Sequence, residues 1–427
     1  MKHTVEEVTL SNGIKGLFVH VPNATVMNFD FEFRAGHYLV PRKKWETPHI
    51  MEHMVFGANS EYPSARAFSA EFEKNGAYNN ASTDVISLHY LAECADFEWD
   101  RILELLLLSI SKPTFIESEF KSEYSNVREE MIGRSNNHYR FLFQKMAMTT
   151  GYISMTDKER VKLMSNVAIE DIKAHFSRTH TSDNLRFIIC GDLKGRQAKI
   201  ERLLKKLPLP RGERFNYPIQ KTKRQKDVLY IRRSGVKNMY FSLDAFLNEA
   251  ITKKEERALS LLDVILGERE NSLLYGQARE DGLIYHIDVS HMTSVDNVNW
   301  GVSGQVSVGN SKPLFELITQ QISRLREGGL SEADLNSACD YYIGALQMSV
   351  QKISRLSGLY GRKYFLNEEI RNFNDTALEL KDITTGDVEA MLQKMLQTKL
   401  WALGVLGSCG INYARELQDI VAPLWEN

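Results

Sequence analysis

Hydrophobic and polar residues alternate along short stretches of the first half of the chain, with the period of two that is typical of strands. In residues 27–34, Phe29, Phe31 and Phe33 share one face and polar side chains take the other, which predicts a half-buried strand. The other segments predicted in this half are strands at 85–92 and 185–191 and helices at 48–57, 64–75, 96–111 and 117–135.

The second half of the chain repeats this order of strands and helices. Its acidic helical segment near 331–355 can be laid over the one at 117–135, so we interpret the chain as an internal duplication of roughly 200 residues. The segments predicted in this half are strands at 228–233 and 298–309 and helices at 312–327 and 331–355.

The halves are joined by a segment with a different composition. Residues 208–226 contain three prolines, are rich in Lys and Arg, and show no periodicity, which is typical of a linker. The basic residues could also indicate a nucleic-acid-binding patch, but a solvated linker is the favoured interpretation. The predicted domains are therefore 1–207 and 227–427.

Charge and cysteine usage exclude several classes of protein. The net charge of the 427 residues is −2, which gives no field for nucleic acid or acidic membranes. The longest apolar stretch, 102–110, is too short to span a bilayer, and the first residues lack the apolar run of a signal peptide. We expect a soluble, cytoplasmic protein that binds neither nucleic acid nor membrane. No CxxC spacing occurs among its cysteines, which are Cys94, Cys190, Cys339 and Cys409.

The segment TPHIMEHMVF contains the motif HxxEH. On a helix, His49 and His53 are one turn apart, so both imidazoles project from one face and can bind one ion. Glu52 lies about 60° round the helix from His49, where a general base for water activation would stand. Pro48 fits the first turn and Thr47 can cap the helix. The alternative is an ordinary amphipathic helix, so a third ligand is needed.

The acidic helix at 117–135 offers that third ligand. Glu130 falls at the buried margin of its apolar stripe, whereas Glu129 falls on the solvent face. Glu123 lies on the same side as Glu130 but about 10 Å along the axis, so we expect it to orient a ligand or, alternatively, to be a surface charge. Two histidines and one carboxylate leave a position open, which predicts one catalytic Zn²⁺ per chain.

The second half of the chain lacks the candidate metal ligands of the first half. When the two halves are overlaid on their corresponding helices, Leu259 takes the place of His49 and Asp263 takes the place of His53.

With these residues in place, the chain resembles the pitrilysin/insulysin family of zinc metallopeptidases, the inverzincins. The resemblance rests on HxxEH followed, after 76 intervening residues, by the glutamate, and on the segments 76–90, 184–193 and 271–285. The half-length form resembles the subunits of mitochondrial processing peptidase. The resemblance implies an α/β (α+β) fold of two duplicated domains, each a mixed β-sheet covered by helices. It also implies zinc-dependent peptide hydrolysis inside a clamshell of four such domains.

The resemblance also implies roles for residues outside the zinc motif. Asn80 and Ala81 match the strand with which the family pairs its substrate, and Arg279 and Tyr285 match the residues it brings to the substrate carbonyl. The chain departs from the family pattern by one missing residue after Arg279, which affects the aim of that side chain. It also has Glu46 where the family usually has Gly.

We therefore interpret the chain as a zinc endopeptidase that acts on extended peptides. Glu52 would serve as the base, Tyr285 would stabilise the oxyanion with zinc, and the substrate would add as a strand beside Asn80 and Ala81. Two of the four clamshell domains are present, so we expect a homodimer in which Tyr285 serves the zinc of the partner chain. The alternatives are a non-catalytic scaffold of the same fold and a module that binds peptides without cutting them.

Overall fold

The computed structural model describes residues 2–426 as two compact units. Unit 1 contains the described residues up to Arg134, together with Asp157–Pro218 and Gln347–Phe373. Unit 2 contains Ser135–Thr156, Ile219–Leu346 and the described residues from Asn374 onward. Each unit consists of one mixed β-sheet and the helices packed on it, which confirms the predicted fold class.

The strands and helices follow one another along both units. The strands are β1 (Thr4–Thr9), β2 (Lys15–His20), β3 (Val26–Phe33), β4 (Tyr78–Thr83), β5 (Leu88–Ala95), β6 (Leu185–Gly191), β7 (Leu229–Arg232), β8 (Asn238–Leu247), β9 (Ile287–Thr293), β10 (Val298–Ser307) and β11 (Trp401–Gly407). The helices are α1 (Thr47–Val55), α2 (Ala65–Glu73), α3 (Trp99–Ser111), α4 (Glu117–Arg134), α5 (His138–Thr150), α6 (Asp157–Leu163), α7 (Ile169–Thr179), α8 (Gln197–Lys205), α9 (Lys253–Asp263), α10 (Tyr275–Glu280), α11 (Val308–Arg326), α12 (Glu332–Ser349), α13 (Ile353–Asn367), α14 (Thr376–Lys381), α15 (Thr385–Gln397) and α16 (Ile411–Val421).

The two sheets have the same topology. The strand order is β1-β2-β6-β3-β5-β4 in unit 1 and β7-β11-β8-β10-β9 in unit 2, so the sheets correspond strand for strand apart from β1. The pairs β2–β6 and β7–β11 are parallel, and the remaining pairs are antiparallel. This correspondence confirms the internal duplication. It also leaves β4 and β9 at the edges of their sheets.

The core of unit 1 lies between its sheet and a set of helices that includes α1, α3 and α4. Phe29, Phe31 and Phe33 on β3 are fully buried in the same core cluster as the apolar side chains of α1, as their alternation predicted. The polar face of β3 is buried as well, so the strand is not half-buried. Glu32 on that face accepts hydrogen bonds from Arg214 (2.9 Å) and Ser87 (2.9 Å), which offset the cost of burying its charge.

Each unit borrows one helix from the other half of the sequence. α13 covers the β2–β6 face of unit 1 with apolar side chains, whereas α5 packs on β8 and β11 of unit 2. The approach of α5 to β11 requires a glycine, because a Cβ on Gly404 would lie 2.5 Å from Sδ of Met146. The predicted domains at 1–207 and 227–427 are continuous segments, whereas the compact units cross that division twice. The single helix predicted at 331–355 is two helices, α12 and α13.

Candidate metal centre

The helix α1 that carries HxxEH begins as a proline-initiated turn. Pro48 lies in its first turn, where the missing N–H removes no hydrogen bond. The N-cap is Glu46, so the prediction that Thr47 caps the helix is wrong. The Glu46 side chain accepts no hydrogen bond from the first backbone N–H groups, and the buried Thr47 hydroxyl has no partner among residues 2–426. The Glu46 carboxylate is therefore available for other partners.

Three side chains from α1 and α4 converge on one point. Nε2 of His49 lies 3.4 Å from Oε2 of Glu130, and Nε2 of His53 lies 3.6 Å from the same oxygen. The potential ligand atoms of all three side chains lie within 4.8 Å of one another. In the described part of the chain, no other group of three or more histidine, cysteine, aspartate or glutamate side chains meets this distance.

The opposite nitrogen of each imidazole contacts a carboxylate. Nδ1 of His49 lies 3.0 Å from Oε2 of Glu46, and Nδ1 of His53 lies 3.0 Å from Oε2 of Glu123. A carboxylate that accepts from Nδ1–H fixes the tautomer in which Nε2 carries a lone pair. In that tautomer Nε2, the nitrogen that can bind a metal ion, lies on the Glu130 side of both histidines.

The glutamate pair on α4 is divided as the helical register predicted. Glu130 is partly buried beside the histidines, and its Oε1 pairs with Arg134 one turn away. Glu129 is 71% exposed and pairs with the exposed Arg128. Adjacent residues therefore have opposite environments on one helix.

The electrostatics of the cluster favour a positive charge at its centre. Burial lowers the pKa of His49, but hydrogen bonds to Glu130 and Glu46 outweigh burial and raise it to about 9. The hydrogen bond to His49 lowers the pKa of Glu130 to about 2. The hydrogen bond to His53 likewise lowers the pKa of Glu123. A divalent cation can replace the proton charge that these groups otherwise stabilise.

Glu52 lies beside this cluster without a partner. No residue in the described range 2–426 forms a hydrogen bond or ion pair with its carboxylate, although its charge acts on both His49 and Tyr90. The Tyr90 hydroxyl is itself buried and lies 2.9 Å from Nε2 of His180. The Glu52 carboxylate is thus the free acceptor next to the two histidines.

Comparison with known proteins assigns the family. The model of the insulinase family (peptidase family M16) matches residues 21–161, and the model described as the peptidase M16 inactive domain matches residues 166–342. The chain belongs to the insulinase/pitrilysin family. His49, His53 and Glu130 all fall within residues 21–161, which match the insulinase family model. The match to the inactive-domain model begins at residue 166, before the segment that joins the two halves of the chain.

Two curated relatives share part of this sequence. A Caenorhabditis elegans protein whose name describes it as a zinc protease is 28% identical over 133 residues, or 30% of this chain. The Drosophila melanogaster insulin-degrading enzyme is 26% identical over 121 residues, or 28% of this chain. The matches cover only 15% and 12% of the lengths of these two proteins.

Solved structures of family members share the fold over nearly the whole chain. A protease from Helicobacter pylori superposes with a TM-score of 0.82 at 20% identity, covering 95% of this chain and 100% of that one. A peptidase M16 inactive domain from Pseudomonas fluorescens superposes with a TM-score of 0.81 at 17% identity, covering 95% and 98% of the two chains. At these identities the likeness establishes the fold.

The residues matched to the insulinase family's substrate strand lie on the edge strand β4. Asn80 is exposed, whereas Ala81 is half-buried against the core of unit 1. β5 pairs with one side of β4, and no described strand pairs with the other. The free side can therefore accept an additional extended chain.

The two residues matched to the insulinase family's carbonyl contacts lie together on unit 2. Tyr285 is 83% exposed, and the Arg279 guanidinium lies 5.6 Å from the centre of its ring. Arg279 also donates a hydrogen bond to the Tyr275 hydroxyl (2.9 Å). The side chains of Arg279 and Tyr285 thus form one exposed group despite the shortened spacing between them.

The helix α9 in unit 2, which corresponds to α1, carries a different polar cluster. Asp263, which overlays His53, contacts Nδ1 of His291 at 2.5 Å and accepts a hydrogen bond from the Trp300 indole at 3.1 Å. Leu259, which overlays His49, is fully buried in the apolar core. This insulinase-family unit therefore keeps a satisfied polar contact where unit 1 clusters two histidines.

Two residues at the cluster were not identified as site residues from the sequence. Glu46 was noted only as a departure from glycine, and Arg160 was not singled out at all. Arg160 on α6 donates two hydrogen bonds to the Glu46 carboxylate, through Nε and Nη2. The unusual acid three residues before His49 was the available signal, since a buried acid needs a partner.

No helix within residues 2–426 has the length and apolar character needed to cross a bilayer.

Proposed function

We propose that this chain is a zinc-dependent endopeptidase that hydrolyses extended peptides. The observation that carries the proposal is the convergence of His49 Nε2 and His53 Nε2 on Glu130, with the free carboxylate of Glu52 beside them. This combination provides three ligands and one base, which a catalytic zinc site requires.

The donor set fits zinc. His49, His53 and Glu130 would hold the ion, because two imidazole nitrogens and one carboxylate are a ligand set found in catalytic zinc sites. When bound, zinc supplies Lewis-acid activation of water and of the peptide carbonyl. Glu46 and Glu123 hold the two imidazoles through Nδ1 and leave Nε2 for the ion.

The proton transfers fall to Glu52. Its carboxylate takes a proton from the attacking water and then donates it to the amide nitrogen that leaves as an amine. Because no described residue competes for this carboxylate, it can turn from the water to the leaving group. Tyr285 would donate a hydrogen bond to the oxygen on which negative charge develops. Arg279, beside it, would contact the substrate carbonyl.

The substrate would bind as an added strand on β4. The backbone of Asn80 and Ala81 would pair with an extended peptide, so we expect unfolded segments to be cut in preference to folded proteins. Main-chain pairing supplies affinity for many sequences, so we expect broad sequence tolerance.

The test compares Glu52→Gln with a matched control, Glu129→Gln. We expect both variants to bind about one zinc per chain, because neither residue is a ligand. Turnover of a mixed library of quenched peptides should fall on the order of 10²-fold or more in Glu52→Gln and stay near wild type in Glu129→Gln. Near-normal turnover in Glu52→Gln would remove the assigned base. Zinc binding by the wild-type protein without peptide turnover would instead favour a scaffold or a peptide-binding module, as the inactive-domain match over residues 166–342 would allow.

We also propose a homodimer in which Tyr285 acts on the zinc site of the partner chain. The support is the family resemblance, which implies four domains around one chamber. Mixing Glu52→Gln chains with Tyr285→Phe chains tests it, because one site of the mixed dimer then has both residues intact. Activity should reappear on mixing. No recovery despite verified subunit exchange would exclude action in trans, and a fully active monomer would exclude the dimer.

A further inference from the structure

We propose that Glu46, anchored by Arg160, is a positioning residue that fixes His49 for metal binding. This inference rests on the zinc site proposed above. It concerns a carboxylate at a position where the family resemblance implies glycine. It assigns a role to Glu46 and Arg160, two buried residues that take no part in the proton transfers or in metal ligation.

The geometry of Glu46 matches that role. Its Oε2 lies 3.0 Å from Nδ1 of His49, and the side chain is only 1% exposed. Arg160 approaches the same carboxylate through Nε and Nη2, with the Nη2–Oε2 distance at 3.0 Å. The two-point contact restricts rotation of the carboxylate, so the acceptor for His49 Nδ1–H has a fixed direction.

The anchor is itself held in place. Nη1 of Arg160 lies 3.6 Å from a carboxylate oxygen of Asp157, and both side chains are buried on α6. The chain of contacts therefore runs from α6 through Arg160 and Glu46 to the imidazole of His49. A shift in any of these contacts would turn the ring and move Nε2 away from Glu130.

Capping of the α1 N-terminus does not explain the placement of the Glu46 side chain. As the N-cap of α1, its side chain could accept from the first backbone N–H groups, but it accepts none of them. A buried ion pair with Arg160 alone also gives little net stability, because the desolvation of both charges offsets their attraction. Among residues 2–426, the hydrogen-bond partners of this carboxylate are Arg160 and His49, and the contact with His49 is the one that reaches the site.

The two histidines are therefore supported unequally. Glu123, which contacts His53, is 24% exposed and shares its carboxylate with the Asn126 amide at 3.3 Å, whereas Glu46 is buried against a guanidinium. Because Arg160 balances the charge of Glu46, this carboxylate can orient His49 while adding little net negative charge to the site. We infer that the imidazole ring of His49 is held more rigidly than that of His53.

The test measures zinc affinity by chelator competition. Removing Glu46 alone would leave Arg160 charged and buried without this partner, so the main variant is Glu46→Leu/Arg160→Met, which removes both charges of the pair. We expect its Kd for zinc to rise about 10–100-fold. The visible spectrum of the cobalt-substituted protein should also change, since the imidazole is no longer held. The thermal midpoint of the metal-free protein controls for folding.

A conservative variant and a neutral control complete the comparison. Glu46→Gln keeps an oxygen that can accept from His49, so it should lose less affinity than the double variant. Glu129→Gln, on an exposed residue, should match wild type. A double variant with wild-type zinc affinity and cobalt spectrum would overturn the inference and leave the ion pair a purely structural one. If the wild-type protein binds no zinc, the proposed function fails together with the inference. If wild type binds zinc and the double variant binds equally, only the inference fails.

Discussion

Replacing Glu130 with glutamine tests the proposed ligand set most directly. The site has three protein ligands, and structural zinc sites with four ligands bind with about 10–16 kcal/mol. An equal division gives about 3 kcal/mol for each ligand, which corresponds to a rise of about 100-fold in Kd. The neighbour Glu129 lies on the same helix with its side chain in solvent, so Glu129→Gln is a control matched in residue type and helix position.

The structure makes glutamine a poor substitute at this position. Oε1 of Glu130 pairs with Arg134, whereas Oε2 faces both histidines. Glutamine has a single oxygen, and Arg134 attracts it, which turns the amide NH₂ toward His49 and His53. An amide NH₂ cannot ligate a cation. We therefore expect Glu130→Gln to lose the full ligand contribution.

The assay is zinc content after dialysis against a graded chelator, followed by competition titration. Glu130→Gln should retain little zinc at a chelator concentration that leaves the wild-type protein and Glu129→Gln loaded. The reverse pattern, with Glu129→Gln losing zinc and Glu130→Gln keeping it, would show that the register of the helix is misread. Equal zinc retention in all three proteins would refute the ligand assignment.

Three further outcomes follow from the contacts. Glu123→Gln should raise the Kd for zinc about tenfold, and a change under twofold in the chelator titration would contradict its orienting role. Burial raises the pKa of Glu368, but Lys15 and Arg186 together outweigh burial and lower it to about 2. The contribution of Glu368 to stability is therefore present above about pH 4.5 and is lost as the pH falls toward 2. Acid titration of the unfolding free energy should therefore be shallower in Glu368→Gln, and identical slopes would refute this. Gly404→Ala should lower stability by about 1–3 kcal/mol through overlap with Met146, and Met146→Ala in the same chain should recover part of the loss in a thermal melt.

The local parts of the site could be predicted from the sequence, because they depend on helix geometry alone. The spacing of His49 and His53 fixes them on one face, and the apolar stripe of α4 separates Glu130 from Glu129. The anchoring of Glu46 could not be predicted in this way. Its partner Arg160 is 114 residues away, and only the packed structure determines which buried cation meets which buried acid.

The fold shows the same division between local and distant information. Alternation predicted β3 and β10, since a period of two is visible within a few residues, and the strands near β5 and β6 were predicted as well. It did not predict that α13 covers the polar face of β3. The burial of Glu32 on that face depends on Arg214, which comes from the segment interpreted as a linker.

The exchange of helices between the halves has a consequence for biosynthesis. Unit 1 needs Gln347–Phe373 to cover its sheet, so the ribosome must have made the chain as far as Phe373 before that unit can close. Until then, the β2–β6 face exposes apolar side chains such as Leu17 and Ile188. We expect the nascent chain to need protection at that face, and a fragment ending at residue 207 to aggregate when expressed alone.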